Sequence, residues 1–479
     1  MTTHANPNFT PLSIVNTTDE LSAQFEHLYN LSREQPILDW SERRAQLENL
    51  EALLIDNKDT FCEAISADFG HRSTSETQFA ELFTSFQGIS HAKKHGKAWM
   101  KTRRMPIPAI YMPARNEIQP QPLGVVGIIV PWNYPLNLTI GPMIDALTAG
   151  NRVMVKISEA VPTFANAFAE AVAKYFSPDM VTVALGEMDM SQAFSHLPFD
   201  HLLFTGSTSV GKKIMAAAAP NLTPVTLELG GKSPVIVLEN ADLEAAVNRI
   251  MMGKTINAGQ TCIAPDYVLI NKRHHKQFIQ LAKDWMATHY PNIGDNKDYT
   301  CVINGAQFKR IQGYLAKLDS SCIHELTDVP ANEATQLMPP VILEQPPLDS
   351  EAMQDELFGP VLPLIHYDQV RDAVNFVNER PRPLALYIFG QDNVDINYIR
   401  EHTVSGGVCL NEVIMHVAQH DIPFGGVGAS GMGAYHGKAG FERLSHMKPV
   451  FVQSRVNGMN LLLPPYGALF KKGIGLFLK

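Results

Sequence analysis

Leu21, Phe25, Leu28 and Leu31 recur at helical spacing, and Leu47, Leu50, Leu53 and Leu54 repeat that pattern. One apolar stripe per helix predicts an all-helical opening that runs to about Trp99, folded as an antiparallel hairpin. Residues 1–20, before it, are polar and read as a loose arm. After it, Pro106, Pro108, Pro113, Pro120 and Pro122 remove backbone donors and exclude helix, so an extended ribbon is expected there.

The texture then changes. Val125-Val126-Gly127-Ile128-Ile129-Val130 is an unbroken apolar run, as expected of a strand buried on both faces. Short β-patterned runs at 153–155, 181–183, 201–204 and 225–227 alternate with helix-patterned runs at 138–149, 164–176 and 210–219. That alternation predicts βαβ units and a parallel sheet, with ligands at the carboxyl ends of the strands. A second alternating series starts at Pro234-Val235-Ile236-Val237-Leu238, after the pair Gly230-Gly231. The expected fold class is α/β, with a Rossmann-like parallel-sheet domain and a second α/β domain.

Length and composition agree with this and exclude several functions. A chain of 479 residues is too long for one ordinary core. With 45% apolar and 18% charged residues it reads as soluble and globular. A formal charge of −9 argues against nonspecific nucleic-acid binding. The cysteines at 62, 262, 301, 322 and 409 form no C-x-x-C pair, which fits a reducing cytosol better than a disulfide framework. The polar start shows no secretory signal, and no apolar run is long enough to span a bilayer.

The candidate chemistry sits at the predicted strand ends. Cys262, in Gly259-Gln260-Thr261-Cys262, lies between a helix-patterned and a β-patterned run. It is either a nucleophile or a packed structural thiol. Gly206-Ser207-Thr208-Ser209-Val210-Gly211 follows a strand and opens a helix, whose free N–H groups suit a phosphate; a plain Ser N-cap is the alternative. Lys156 and Glu159 end a strand where ribose hydroxyls are bound, or else form a solvated loop. Pro131-Trp132-Asn133-Tyr134-Pro135 stiffens a loop from which Asn133 could stabilise an oxyanion, or make an Asx-turn. Glu228, between leucines, is a candidate general base or one half of an ion pair. Glu356 and Phe358 sit in Asp355-Glu356-Leu357-Phe358-Gly359-Pro360 and say little alone. Gly426 to Gly431 satisfies G-x-G-x-x-G but lacks the preceding strand and following helix, so it reads as a glycine-rich loop. His416 and His420 are four apart but run into a Pro/Gly loop, so no metal is expected. The apolar tail from Leu461, with three lysines, suits a dimer contact, docking on the same subunit or weak membrane-surface binding.

Together these segments resemble the aldehyde dehydrogenase superfamily in order and spacing from about residue 20 to 450. They are Pro131–Pro135, Lys156–Glu159, Phe204–Gly211, Leu227–Lys232, Gly259–Cys262, Glu356–Pro360 and Pro423–Gly431. Asp68-Phe69-Gly70-His71-Arg72, Cys262–Tyr267 and Pro464-Pro465-Tyr466-Gly467 are similar to the class-3-like branch that holds the bacterial coniferyl aldehyde dehydrogenases. The resemblance implies an NAD(P)-binding domain (1–100 and 121–229, with parts of 421–444) and a catalytic domain (230–420). It also implies an oligomerisation extension (101–120 and 445–458) and leaves a tail (459–479). It implies a cytoplasmic homodimer that oxidises a small aldehyde, aromatic or medium-chain, to the acid. NAD is the expected cofactor, with NADP as the alternative. Cys262 would attack the aldehyde, Asn133 would hold the oxyanion, and Glu228 would activate water. Lys156, Glu159, Gly206, Ser207, Gly211, Glu356, Phe358 and Trp132 would contact the cofactor, with Tyr134 and Phe424 near the substrate. Ser209 stands where many members carry Glu. A CoA-acylating relative and a non-catalytic binding protein are the competing readings.

Overall fold

The computed structural model describes residues 9–478. Its first two long helices, Thr18–Glu34 and Trp40–Asp68, are each set by a capping box. The Thr17 side chain accepts from the Glu20 N–H and Asp39 from that of Glu42, while each glutamate reaches back to the cap backbone. Orphan N–H groups at the helix starts are thereby satisfied. The predicted loose arm is thus partly ordered. Ile14–Val15 pairs in parallel with Val183–Ala184, adding an edge strand to a distant sheet. A two-residue strand gives too little periodicity to read. Residues 1–8 lie outside the described residues.

The first sheet has seven strands. From one edge they are Ile14–Val15, Val181–Ala184, Arg152–Ile157, Val125–Val130, His201–Gly206, Val225–Leu229 and Gly431–Met432. All pairs are parallel except the last. The central strands are buried along their whole length, which explains their unbroken apolar runs. The segment read above as a glycine-rich loop contributes the strand Gly431–Met432, opposite Glu228 and Leu227.

The second sheet also has seven strands, in the order Ile323–Glu325, Val341–Glu344, Val361–Tyr367, Tyr267–Asn271, Pro234–Val237, Ala385–Phe389 and Gly407–Leu410. Only the edge strand Ile323–Glu325 is antiparallel. The third sheet joins Arg103–Met105, Arg115–Pro122 and Ser445–Val452 in an antiparallel ribbon. Ser445–Val452 is an edge strand whose outer side pairs with no other strand among the described residues. No helix among the described residues is long and apolar enough to cross a membrane. The tail forms a short helix, Ala468–Phe477, beside exposed Ile110, Tyr111 and Met112 of the ribbon. Lys479 and the side chain of Phe477 lie outside what is described.

Candidate active site

The helix Leu243–Thr255 ends in a tight turn, Ile256–Gly259. Asn257, Ala258 and Gly259 are all left-handed, with φ of 50°, 51° and 72°. At Gly259 an added Cβ would lie 2.5 Å from the Gly359 carbonyl oxygen, so only glycine fits. A left-handed conformation costs a non-glycine residue about 1–2 kcal/mol. Buried hydrogen bonds hold the turn against that cost. Asn257 Nδ2 donates to the carbonyls of Asn133 (2.9 Å) and Gln260 (3.2 Å). Gln260 Nε2 donates to Asn257 O (2.9 Å) and Cys301 O (3.0 Å), and its Oε1 accepts from Ile303 N (2.9 Å). The turn delivers Cys262, half-buried, to the cleft between the two large sheets.

The opposite loop, Pro131 to Pro135, is locked from behind. Arg72 and Glu81 form an ion pair at 3.0 Å with both side chains fully buried. Arg72 Nη1 donates to Asn133 O (2.8 Å). Glu81 Oε2 accepts from Leu136 N (2.7 Å) and Asn137 N (3.0 Å), at the start of the helix Asn137–Ala149. Asn133 Nδ2 donates to Gln260 O at 3.1 Å, which ties the two loops together and leaves its second hydrogen for a ligand. Tyr134 OH meets Thr261 Oγ1 at 2.8 Å.

Two carboxylates face this frame. Glu228 is buried, and neither of its oxygens has a hydrogen-bond partner among the described residues. Burial therefore raises its pKa well above the usual carboxylate range. Glu356 is also pushed up, to about 8, chiefly by burial and then by the charge of Asp266. A Cβ on Gly230 would sit 2.1 Å from Glu356 Oε2, so the second glycine of this site is also one of close approach. The Glu356–Phe358 turn is anchored from beneath. Leu357 N donates to Asp266 Oδ2 (2.9 Å), Arg310 Nη2 donates to Leu357 O (2.8 Å), and Lys232 pairs with Asp266. Burial, then the charges of Glu356 and Glu228, push the Cys262 thiol up to about 12, so it rests as a neutral thiol.

These groups line a cavity of about 530 Å³ that includes Trp132, Asn133, Gly206, Ser207, Glu228, Cys262, Glu356 and Phe358. Trp132 and Phe358 meet edge to face at 5.4 Å and form an aromatic wall. Ser207 caps the helix Thr208–Ala218, whose N terminus opens on the cavity. Other expected residues lie outside this lining. Lys156 is buried, with Nζ donating to Ile157 O at 2.7 Å and 3.9 Å from Glu159. Gly211 lies against Leu229, where a Cβ would come within 2.6 Å, so it serves helix-to-sheet packing. Tyr134 packs under the Arg72 guanidinium at 4.8 Å, and Phe424 stacks on His436 at 5.6 Å. Glu81, Asn257 and Arg310 went unread because nothing local marks them, and Arg72 stood out only as the end of the Asp68–Arg72 segment, with no role at the site. Their partners are distant in sequence.

Two mostly parallel sheets meeting at a cleft, with a capped helix N terminus on one side and a thiol on the other, give an α/β protein whose cleft suits a phosphate-bearing ligand beside a nucleophile. Residues 22–450 match the aldehyde dehydrogenase family, to which the chain belongs. It is 48% identical to the probable coniferyl aldehyde dehydrogenase of Pseudomonas aeruginosa over 456 residues, 95% of each chain. It is 40% identical to the coniferyl aldehyde dehydrogenase of a Pseudomonas species, over 94% of each. The solved substrate-bound state of Staphylococcus aureus AldH superimposes with a TM-score of 0.92 at 35% identity, covering 97% of this chain and 100% of that one. The activity is NAD(P)-dependent oxidation of an aldehyde.

Proposed function

We propose that this enzyme oxidises an aromatic, coniferyl-type aldehyde to its carboxylic acid through a thioester on Cys262, with Glu228 as the hydrolytic base. The observation that carries the reading is the convergence of Cys262, Asn133 and Glu228 on one cavity. The thiol proton leaves to a base, and the sulfur adds to the aldehyde carbon. Asn133 Nδ2 and the Cys262 backbone N–H donate to the oxyanion, a contribution of about 3–4 kcal/mol per well-placed donor. The nicotinamide ring, when bound, supplies the hydride acceptor and a positive charge that favours the thiolate. Loss of hydride from the tetrahedral carbon leaves the thioester. Glu228 then takes a proton from water as the water oxygen attacks the acyl carbon, and the acid departs as the thiol reforms.

The cleft fits a dinucleotide. The orphaned Oε1 of Glu356 would accept from the nicotinamide ribose, Trp132 and Phe358 would flank the ring, and Ser207 with Gly206 would meet a phosphate. Lys156 and Glu159 would reach the adenosine ribose. The Glu159 carboxylate repels a 2′-phosphate, so NAD is the favoured cofactor. The enzyme would be a cytoplasmic homodimer, paired through the free edge of Ser445–Val452. Exposed Leu469 and Ile474, near Lys471 and Lys472, would give the tail a weak hold on a membrane surface.

The test is NAD(P)H production across cinnamyl, benzyl and aliphatic aldehydes, with and without CoA. The expected result is the highest kcat/KM with the cinnamyl class, independent of CoA. Strict CoA dependence would replace the hydrolytic reading with acyl transfer. Absence of turnover with every aldehyde would leave a binding protein.

A further inference from the structure

At the far edge of the second sheet, four segments bring three histidines to one carboxylate. Glu344 ends the strand Val341–Glu344, and His366 lies near the end of Val361–Tyr367. His324 is in the edge strand Ile323–Glu325, and His275 opens the helix His275–His289. The register sets His324 opposite Ile342 and Glu344 opposite Leu364. Because side chains alternate along a strand, His324, Glu344 and His366 share one face. No sequence spacing announces this cluster, since its members come from separate elements.

The distances leave room for a bound cation. His275 Nε2 and His366 Nε2 each lie 3.4 Å from Glu344 Oε1. The ligating atoms of His275, Glu344 and His366 are all within 4.8 Å of one another. A tetrahedral ion with bonds of about 2.0–2.1 Å holds its donors about 3.3 Å apart. Hydrogen bonding sets the tautomer as well. His275 Nδ1 lies 2.7 Å from Lys272 O, which can only accept, so Nδ1 carries a hydrogen and Nε2 is the ring nitrogen that faces the carboxylate. His366 Nε2 is buried without a hydrogen-bond partner among the described residues. The two rings sit 4.2 Å apart between centroids. A cation seated between the two ring nitrogens and the carboxylate would be bonded by all three. His324 Nε2 lies 2.9 Å from Glu344 Oε2, where it orients the carboxylate from outside.

We propose that His275, Glu344 and His366 bind a divalent first-row transition cation, with Zn²⁺ the best match, leaving a fourth position for water. Two imidazoles and one carboxylate favour Zn²⁺ or Co²⁺ over the all-oxygen preference of Mg²⁺ and Ca²⁺. The site is separate from the redox cleft. Phe358 precedes the start of Val361–Tyr367, whereas His366 lies five residues further along, roughly 16 Å at strand spacing. The ion would tie the edge strands to the start of the helix and stabilise that edge.

Co²⁺ titration of the EDTA-stripped full chain tests this. The expected result is one Co²⁺ per chain, with visible d–d bands, no thiolate charge-transfer band, and displacement by Zn²⁺. His366→Ala and Glu344→Gln should each weaken binding by more than about tenfold, and His324→Ala by about 10–100-fold. Both ligand variants should retain wild-type NAD(P)H production, which shows that they are folded. Absence of saturable binding would overturn the proposal. So would a thiolate band that survives His366→Ala and disappears in Cys262→Ala.

Discussion

The loops that carry Cys262 and Asn133 and the carboxylates that face them are built by opposite rules. The side chains of Asn257 and Gln260 make five hydrogen bonds, and the Arg72–Glu81 pair holds the Asn133 loop from behind. Arg72, Glu81 and Asn257 also leave single atoms unpartnered among the described residues, yet each is held by its other bonds, whereas neither oxygen of Glu228 has a partner there and Glu356 Oε1 has none. A buried polar group with no partner is costly, so it persists where the fold's other contacts outweigh it. The contrast separates residues that position from residues that are free to act. Bonded groups fix the geometry, and unpaired groups retain the capacity to take a proton or a ligand hydrogen.

The largest expected effect is at Cys262. Cys262→Ala should lower turnover by about 10⁴-fold or more while NAD(P) binding persists. Retained oxidation would move the nucleophile elsewhere. Glu228→Gln should release one NAD(P)H per site in a burst, then fall by about 10²–10⁴-fold in the steady state. Because burial raises the Glu228 pKa, its basic form appears only as pH rises, so the wild-type deacylation rate should climb with pH. The Gln variant should lose that climb. A pH-independent wild-type rate would count against Glu228 as the base.

Arg72→Met probes the bonded side. Removing one partner leaves the Glu81 charge buried and should cost about 3–5 kcal/mol of stability, read by denaturant titration. A displaced Asn133 should also lower kcat by about 10²-fold, more than it changes cofactor affinity. An equal loss of both would mean that Arg72 supports the whole domain rather than this loop. The smallest effect is at Ala258. Replacing it with glycine relieves a left-handed alanine and should raise stability by about 1 kcal/mol, with turnover unchanged. A destabilised Ala258→Gly chain would show that the buried bonds, not the backbone preference, set the turn.

Much of this was legible from the chain alone. The buried run Val125–Val130 and its successors announce a parallel sheet, because strands covered on both faces carry no polar alternation. Cys262, Asn133 and Glu228 are readable as candidates because each lies in or beside a glycine- or proline-marked segment next to a strand, whereas Glu356 and Phe358 stand out only through the family resemblance. Three things were not readable. The two-residue strands Ile14–Val15 and Gly431–Met432 are too short for any period, and only pairing with distant neighbours makes them strands. Arg72, Glu81 and Arg310 acquire their roles from backbone groups 47 to 61 residues further along the chain. His275, His324, Glu344 and His366 converge from four separate segments. Sequence determined most of the helices and strands and where the candidate reactive groups lie along them, since those depend on neighbours along the chain. Tertiary structure alone decided which polar atoms are bonded and which are left unpaired, since burial and partnership depend on neighbours in space.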